Sequence, residues 1–292
     1  MTKPVHDPRL GAMLGFLGGL VLSVDVPMLR LSGGDMFSAL AIRSLCTVLL
    51  FMPLVIAAQA KALKRGKRVI TRQWLEIGAY YGIATFFFNY SVFSTSTANL
   101  VFILALNPLI AALIAWLLLG ERPGVATWLA IAATIAGVGI IVGSEIGKGS
   151  LSGDIAAFFS AFFIALLLVR SRQNGADYSL TPGFGALLSA VVALPLAAMY
   201  SPMPQAPAWL VANGLIVVPL AMWCLALAPR FIPAPQVAMF YLLETVLAPI
   251  WVWYLFGDRV TQTTLIGGMI VLAAITCHSM WDMRVNARRI AL

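Results

Sequence analysis

Charge is what this sequence has least of. Lys, Arg, Asp and Glu make up 10% of the 292 residues, against about 25% in soluble domains. Ile77–Gly120 runs 44 residues and Tyr178–Pro229 runs 52 without one charged side chain. A water-soluble core cannot absorb such runs, which marks an all-α, polytopic membrane protein. Histidine is nearly absent too. His6 and His278 have no metal-ligand partner at helical spacing and no evident serine or cysteine nucleophile beside them. Cys46, Cys224 and Cys277 each stand alone in a different apolar segment, without C-x-x-C spacing. They are expected as small core residues rather than as redox or zinc sites. No G-x-x-x-x-G-K-[ST] loop occurs, so nothing supports ATP drive within this chain. These absences argue against an enzyme and imply neither metal nor cofactor. The start, MTKPVHDPRL, lacks the basic–apolar–small order of a cleaved signal peptide, so the first apolar helix is expected to stay in the membrane.

What the sequence does contain is a repeated unit. Ala98–Val142 reads as an apolar helix, a charged corner at Gly120-Glu121-Arg122-Pro123, and a second apolar helix. Each helix is about 20 residues long, as a ~30 Å hydrocarbon core requires. The pattern returns 137 residues later in Pro235–Ser279, where Trp253, Leu255, Gly257, Asp258 and Arg259 match Trp116, Leu118, Gly120, Glu121 and Arg122. Asn107 aligns with Glu244. A corner recurring at one fixed offset is the mark of a duplicated unit.

Ten spans follow, at about Leu10–Leu29, Phe37–Ala58, Trp74–Val92, Ala98–Leu119 and Val125–Val142 in the first copy. The second copy gives Asp154–Val169, Gly183–Tyr200, Trp209–Ala228, Pro233–Phe256 and Thr261–Trp281. The copies occupy residues 10–143 and 153–281. Gly11, Gly15 and Gly19 form a face along which another helix can pack closely. Pro108 removes a backbone donor and is expected to kink the fourth span. Trp74, Trp116, Trp209 and Trp281 stand where interfacial anchors belong.

The net charge of +8 suggests nucleic acid until its placement is considered. Lys61, Lys64, Arg65, Lys67, Arg68 and Arg72 share one loop, and Arg122, Arg170, Arg172, Arg230 and the tail Arg284, Arg288 and Arg289 fall on its side of the bilayer. The other side keeps Arg30, Lys148 and Arg259, with Arg43 inside a span. The positive-inside rule makes the rich side cytoplasmic and places both termini there. The partner of these cations is therefore the bilayer of a cell inner (plasma) membrane, not nucleic acid. Five spans per copy is odd, so the second copy enters from the opposite side. That is an inverted-topology repeat, a common carrier architecture with its site near the midplane. A monomer and a homodimer both remain open.

The Glu121-Arg122-Pro123 corner, the ten spans and the five-plus-five duplication resemble the drug/metabolite transporter superfamily, specifically the ten-helix permease with two EamA-type domains. Ser38-Ala39-Leu40-Ala41-Ile42-Arg43 looks like that family's small-residue-plus-Arg pattern, and Asn107-Pro108 matches its fourth-span feature. The second copy departs from it at Glu244-Thr245 and Gly257-Asp258-Arg259-Val260. The resemblance implies a central cavity lined by spans one to four and six to nine, with spans five and ten packed outside. It also implies export of small metabolites such as amino acids, in one branch aromatic ones, which fits the aromatic content of spans three, eight and nine.

Among individual residues Glu244 is the sharpest. An acid at a bilayer centre costs about 2.5–3.5 kcal/mol on insertion scales, so it faces a cavity or a partner. Its alternatives are a role with substrate, proton or gate, and a protonated strut between helices. Asp25 and Arg43 lie at similar depth on consecutive spans, as a gate near the outer mouth or as a static bridge. Tyr81, Asn89, Asn107, Trp223 and Tyr241 are further candidates for the substrate cavity, each set against simple packing or interhelical hydrogen bonding. Within transport, Glu244 in an aromatic-lined cavity also suits efflux of cationic drugs. A channel and a non-transporting receptor are the remaining alternatives.

Overall fold

The computed structural model describes residues 7–143, 150–173, 175–256 and 262–290, and these form helices joined by short turns, with no strand among them. Helix α1 (Pro8–Leu22) and α2 (Asp25–Leu31) follow one another, then α3 (Met36–Leu63) and α4 (Arg72–Ser94). Next come α5 (Thr97–Leu104), α6 (Asn107–Leu119), α7 (Val125–Val142), α8 (Leu151–Arg172) and α9 (Thr181–Tyr200). A short α10 (Pro207–Ala212), a π turn over Asn213–Val217 and α11 (Val218–Leu227) run on continuously. The chain ends with α12 (Ala234–Tyr241), α13 (Leu243–Phe256) and α14 (Gln262–Ile290). Among the described residues six helical stretches are long and apolar enough to cross a membrane: Pro8–Leu31, Met36–Leu63, Asn99–Leu119, Leu151–Arg172, Thr181–Tyr200 and Pro207–Arg230. Their outward surface carries bare apolar groups such as Leu117, Leu151 and Met199. Water would not tolerate that surface, whereas lipid does.

Local chemistry sets the helix ends. Asp35 caps α3 by accepting from the Ser38 N–H at 2.8 Å, while the Ser38 hydroxyl returns a bond to the Asp35 N–H at 3.0 Å, a reciprocal cap. Thr71 and Ser150 accept from the N–H of Trp74 and Gly153 and start α4 and α8. Gly120, at φ 68°, stops α6 in the left-handed conformation that only glycine adopts without strain. That is the physical content of the first residue in the Gly120–Pro123 corner. The matching corner of the second copy, Gly257-Asp258-Arg259, lies outside the described residues.

Prolines explain three of the four interruptions inside spans. Pro27, Pro108 and Pro219 each lack the N–H that would bond four residues back, to Ser23, Leu104 and Leu215. At those places the chain tightens at Ser23-Val24, tightens at Ala105-Leu106, and widens into the π turn. The kink expected from Pro108 is present, and Asn107 becomes the first residue of the half-helix beyond it. The fourth interruption, at Leu242 between α12 and α13, has no proline three or four residues ahead. Pro53 and Pro195 sit inside α3 and α9 without breaking them.

Packing brings the halves together pairwise: α3 lies on α9, α7 on α14, α4 on both α8 and α9, and α1 on α11 and α12. The glycine face of α1 permits the last contacts. A Cβ on Gly15 would stand 2.3 Å from the Phe240 ring, and one on Gly19 would stand 2.1 Å from the Phe240 carbonyl oxygen. Small polar side chains add to the seams. Ser160 on α8 and Ser189 on α9 donate to the α4 carbonyls of Ala84 and Gly82 at 3.2 and 3.3 Å.

Two sequence expectations need correcting. Trp74 is no interfacial anchor, for it is buried at 2% exposure with its ring 5.7 Å from that of Phe184. A tryptophan at a span end packs inward when a neighbouring helix overlaps it, as α9 does here. Cys277 is exposed, unlike the buried Cys46 and Cys224, because its face of α14 looks away from α7.

Candidate functional site

The interruptions matter because the polar groups collect at them. Asp25 opens α2, Asn107 opens α6, Asn213 opens the π turn, and Glu244 is the second residue of α13. Three of these four converge. Asp25 and Arg43 form a buried ion pair, Arg43 Nη1 to Asp25 Oδ2 at 3.4 Å, with side-chain exposures of 2% and 5%. The Asn213 amide donates to the other carboxylate oxygen, Oδ1, at 2.6 Å. Glu244 lies within electrostatic range of both Asp25 and Arg43. Sequence reasoning thus placed Asp25 and Arg43 together correctly, and the structure adds Glu244 to the same cluster.

Glu244 differs from its neighbours in one respect. It keeps accessible surface, as does Tyr241 one turn before it, where Asp25 and Arg43 have almost none. Its carboxylate makes no hydrogen bond or ion pair with any described residue. Tyr241 faces Glu244 on one side and Tyr81 of α4 on the other. The two phenol oxygens are buried neighbours. Tyr81, Tyr241, Glu244, Asp25 and Arg43 are thus each within electrostatic range of the next.

The remaining candidates divide. Asn107 donates to the Ala161 carbonyl of α8 at 3.1 Å, and its buried Oδ1 has no partner among the described residues. Asn89 donates within its own helix, to Thr85 at 2.8 Å, and its Oδ1 is likewise unpaired. Trp223 stands apart, 41% exposed on the same helical stripe as Ile216 and Leu220 and opposite the buried Ala221 and Cys224.

Several residues escaped sequence reasoning. Asn213 did so because a lone amide in an apolar run carries no pattern, although it is followed directly by Gly214. Trp251 of α13 donates to the Ser23 hydroxyl at 2.8 Å, which braces the α1–α2 kink against α13. At the end carrying the Lys61–Gln73 loop, two arginines two positions apart join α8 to its neighbours. Arg170 holds Glu76 through Nε at 3.0 Å and Nη2 at 2.8 Å. Arg172 holds Glu121 of the corner through Nε at 2.9 Å and reaches the Pro229 carbonyl at 3.4 Å. A cleft of about 550 Å³ lies beside the first pair, lined by Arg72, Gln73, Glu76, Arg170 and Gln173. At the opposite end Asp154 accepts from Thr95 at 2.5 Å and from Asn99 at 3.0 Å.

An all-helical membrane chain with charged and phenolic groups gathered deep at its helix interruptions is built as a permease of small molecules. The family model described as the EamA-like transporter family matches it twice, over residues 9–143 and 151–280. This chain belongs to that family. It is similar to an uncharacterized transporter of Archaeoglobus fulgidus, 22% identical over 271 residues that cover 91% of this chain and 95% of the relative. A solved crystal structure of a protein shares its fold at a TM-score of 0.74 and 18% identity, covering 94% of this chain and 98% of that one.

Proposed function

We propose that the protein is a ten-span permease of the inner membrane that exports small metabolites, amino acids first among them, by alternating access. Its two five-helix units, residues 10–143 and 153–281, are read as inverted copies. The helix pairings support that reading. Exchanging each span for its counterpart turns the α4–α8 contact into the α11–α1 contact and leaves α3–α9 and α7–α14 paired with themselves. Both termini are read as cytoplasmic, so Asp25, Arg43 and Asn213 lie toward the outer mouth and Glu76, Arg170, Glu121 and Arg172 at the inner one.

The observation that carries the substrate class is the company Glu244 keeps. A zwitterionic amino acid needs an anion for its ammonium and a cation for its carboxylate, and Glu244 and Arg43 lie within electrostatic range of each other. Tyr81 and Tyr241 add aromatic surface with polar edges, which suits an aromatic side chain. An efflux carrier for lipophilic cations is the second reading, favoured by the excess of acids over arginine in the cluster. Purified protein in proteoliposomes tests both, through exchange of labelled phenylalanine competed by zwitterionic amino acids or by tetraphenylphosphonium. Saturable counter-flow competed by amino acids is expected. Competition by the lipophilic cation alone would replace the first reading with the second, and flux without counter-flow would replace a carrier with a channel.

A further inference from the structure

The cluster holds two acids and one arginine, so something must decide which acid the arginine serves. We propose that Asn213 is the positioning residue that makes this choice. By holding Asp25 it assigns Arg43 to Asp25 and withholds it from Glu244, which is left to meet the positively charged end of the cargo. The inference about cargo rests on the substrate reading given above, whereas the assignment of Arg43 does not.

Backbone geometry fixes where Asn213 stands. Pro219 cannot donate to Leu215, and the helix widens into the π turn, closed by the Val218 N–H bonding to the Asn213 carbonyl. Such widenings are rare and cluster at functional sites. Gly214 then allows α3 to come so near that a Cβ there would stand 2.4 Å from the Arg43 carbonyl oxygen. The Thr47 hydroxyl bridges the Arg43 and Gly214 carbonyls at 2.9 and 3.0 Å. Asn213 and Arg43 therefore ride on two backbone segments that cannot slide past each other.

The energetics follow from burial. A carboxylate removed from water is tolerable only when it is both paired and hydrogen-bonded. Asp25, at 1% exposure, has both, from Arg43 at Oδ2 and from Asn213 at Oδ1. The Asn213 bond is charge-assisted and therefore stronger than a neutral one. Its amide must present nitrogen, not oxygen, because the carboxylate only accepts. Without that donor Asp25 is half satisfied. Glu244, within range of the same guanidinium, then competes on better terms.

Thermal unfolding of the full-length protein in detergent tests this through double-mutant cycles. Arg43→Gln is combined with Glu244→Gln, and separately with Asp25→Asn, in the native background and again in Asn213→Ala, with Asn213→Ser as the background if the alanine variant does not fold. The Arg43–Glu244 pair is expected to be additive with Asn213 present and clearly coupled without it, while the Arg43–Asp25 coupling weakens in step. A merely structural role for Asn213 lowers every melting temperature but does not move coupling from one acid to the other. Equal Arg43–Glu244 coupling in both backgrounds overturns the proposal, whatever the protein transports. In exchange assays with phenylalanine, Asn213→Ala should raise KM about tenfold, the scale of one charge-assisted hydrogen bond, with a smaller change in maximal rate. Asn213→Ser should recover part of it, because its hydroxyl still donates. Absence of phenylalanine exchange by the wild type overturns the substrate reading and leaves the cycles to decide Asn213.

Discussion

Replacing Gly19 by alanine sets two effects of known size against each other. In a helix interior alanine is favoured over glycine by about 1 kcal/mol, so a glycine with space around it should improve. Gly19 has none, since its added Cβ would stand 2.1 Å from the Phe240 carbonyl oxygen and 3.0 Å from Leu243 Cδ1. The obstacle is backbone, not the far end of a flexible side chain, so α1 and α12 must separate. Overpacking of this kind costs roughly 1–3 kcal/mol, which exceeds the propensity gain over most of its range. The displaced segment contains Tyr241 and the interruption at Leu242, so exchange should fall along with stability. A thiol-reactive fluorophore measures the stability directly, because Cys46 and Cys224 are buried and react on unfolding. Cys277, which is exposed, is first changed to serine. At roughly 2–4 °C per kcal/mol for chains of this order, Gly19→Ala should lower the melting temperature by several degrees. Gly139→Ala, inside α7 with only the Phe102 ring at 3.7 Å from the new atom, should leave it unchanged or slightly raised. Equal melting temperatures for Gly19→Ala and the parent would refute the close approach of α1 to α12.

Glu244→Gln keeps the side chain's size and hydrogen bonding but removes its charge. Exchange should fall or lose its pH dependence while stability stays within about 1 kcal/mol, and unchanged exchange across pH would make Glu244 a neutral strut. A cysteine at Gln205 should react with an impermeant thiol reagent in intact cells, and one at Gly66 should not; the reverse labelling would invert the topology. Glu121→Gln should cost about 1 kcal/mol or less, because the Glu121 partner of Arg172 is 40% exposed, and the charge-reversed pair Glu121→Arg, Arg172→Glu should recover it. A loss of several kcal/mol in Glu121→Gln would show that the corner holds more than this one ion pair.

By itself the sequence determined what depends on composition and local chemistry. Runs of 44 and 52 residues without charge dictate helices that face lipid, and the Gly120 stop and the kink before Pro108 follow from single residues. Depth was legible as well. Asp25 and Arg43 lie on consecutive spans equally far from a shared turn, so a rise of about 1.5 Å per residue places them level. What only the tertiary structure decided is what else stands at that level and which way it faces. Asn213 reaches Asp25 across 188 positions of chain, and it does so because a π turn shifts its helical register. Register within an apolar helix is invisible where every face is apolar, which also hid the inward turn of Trp74 and the outward one of Trp223. Glu244 could be read as central, but its nearness to Asp25 and Arg43 depends on α1 packing closely on α12 at Gly15 and Gly19. That contact is set by the absence of side chains, and the sequence could show the glycine face without showing which helix would fill it.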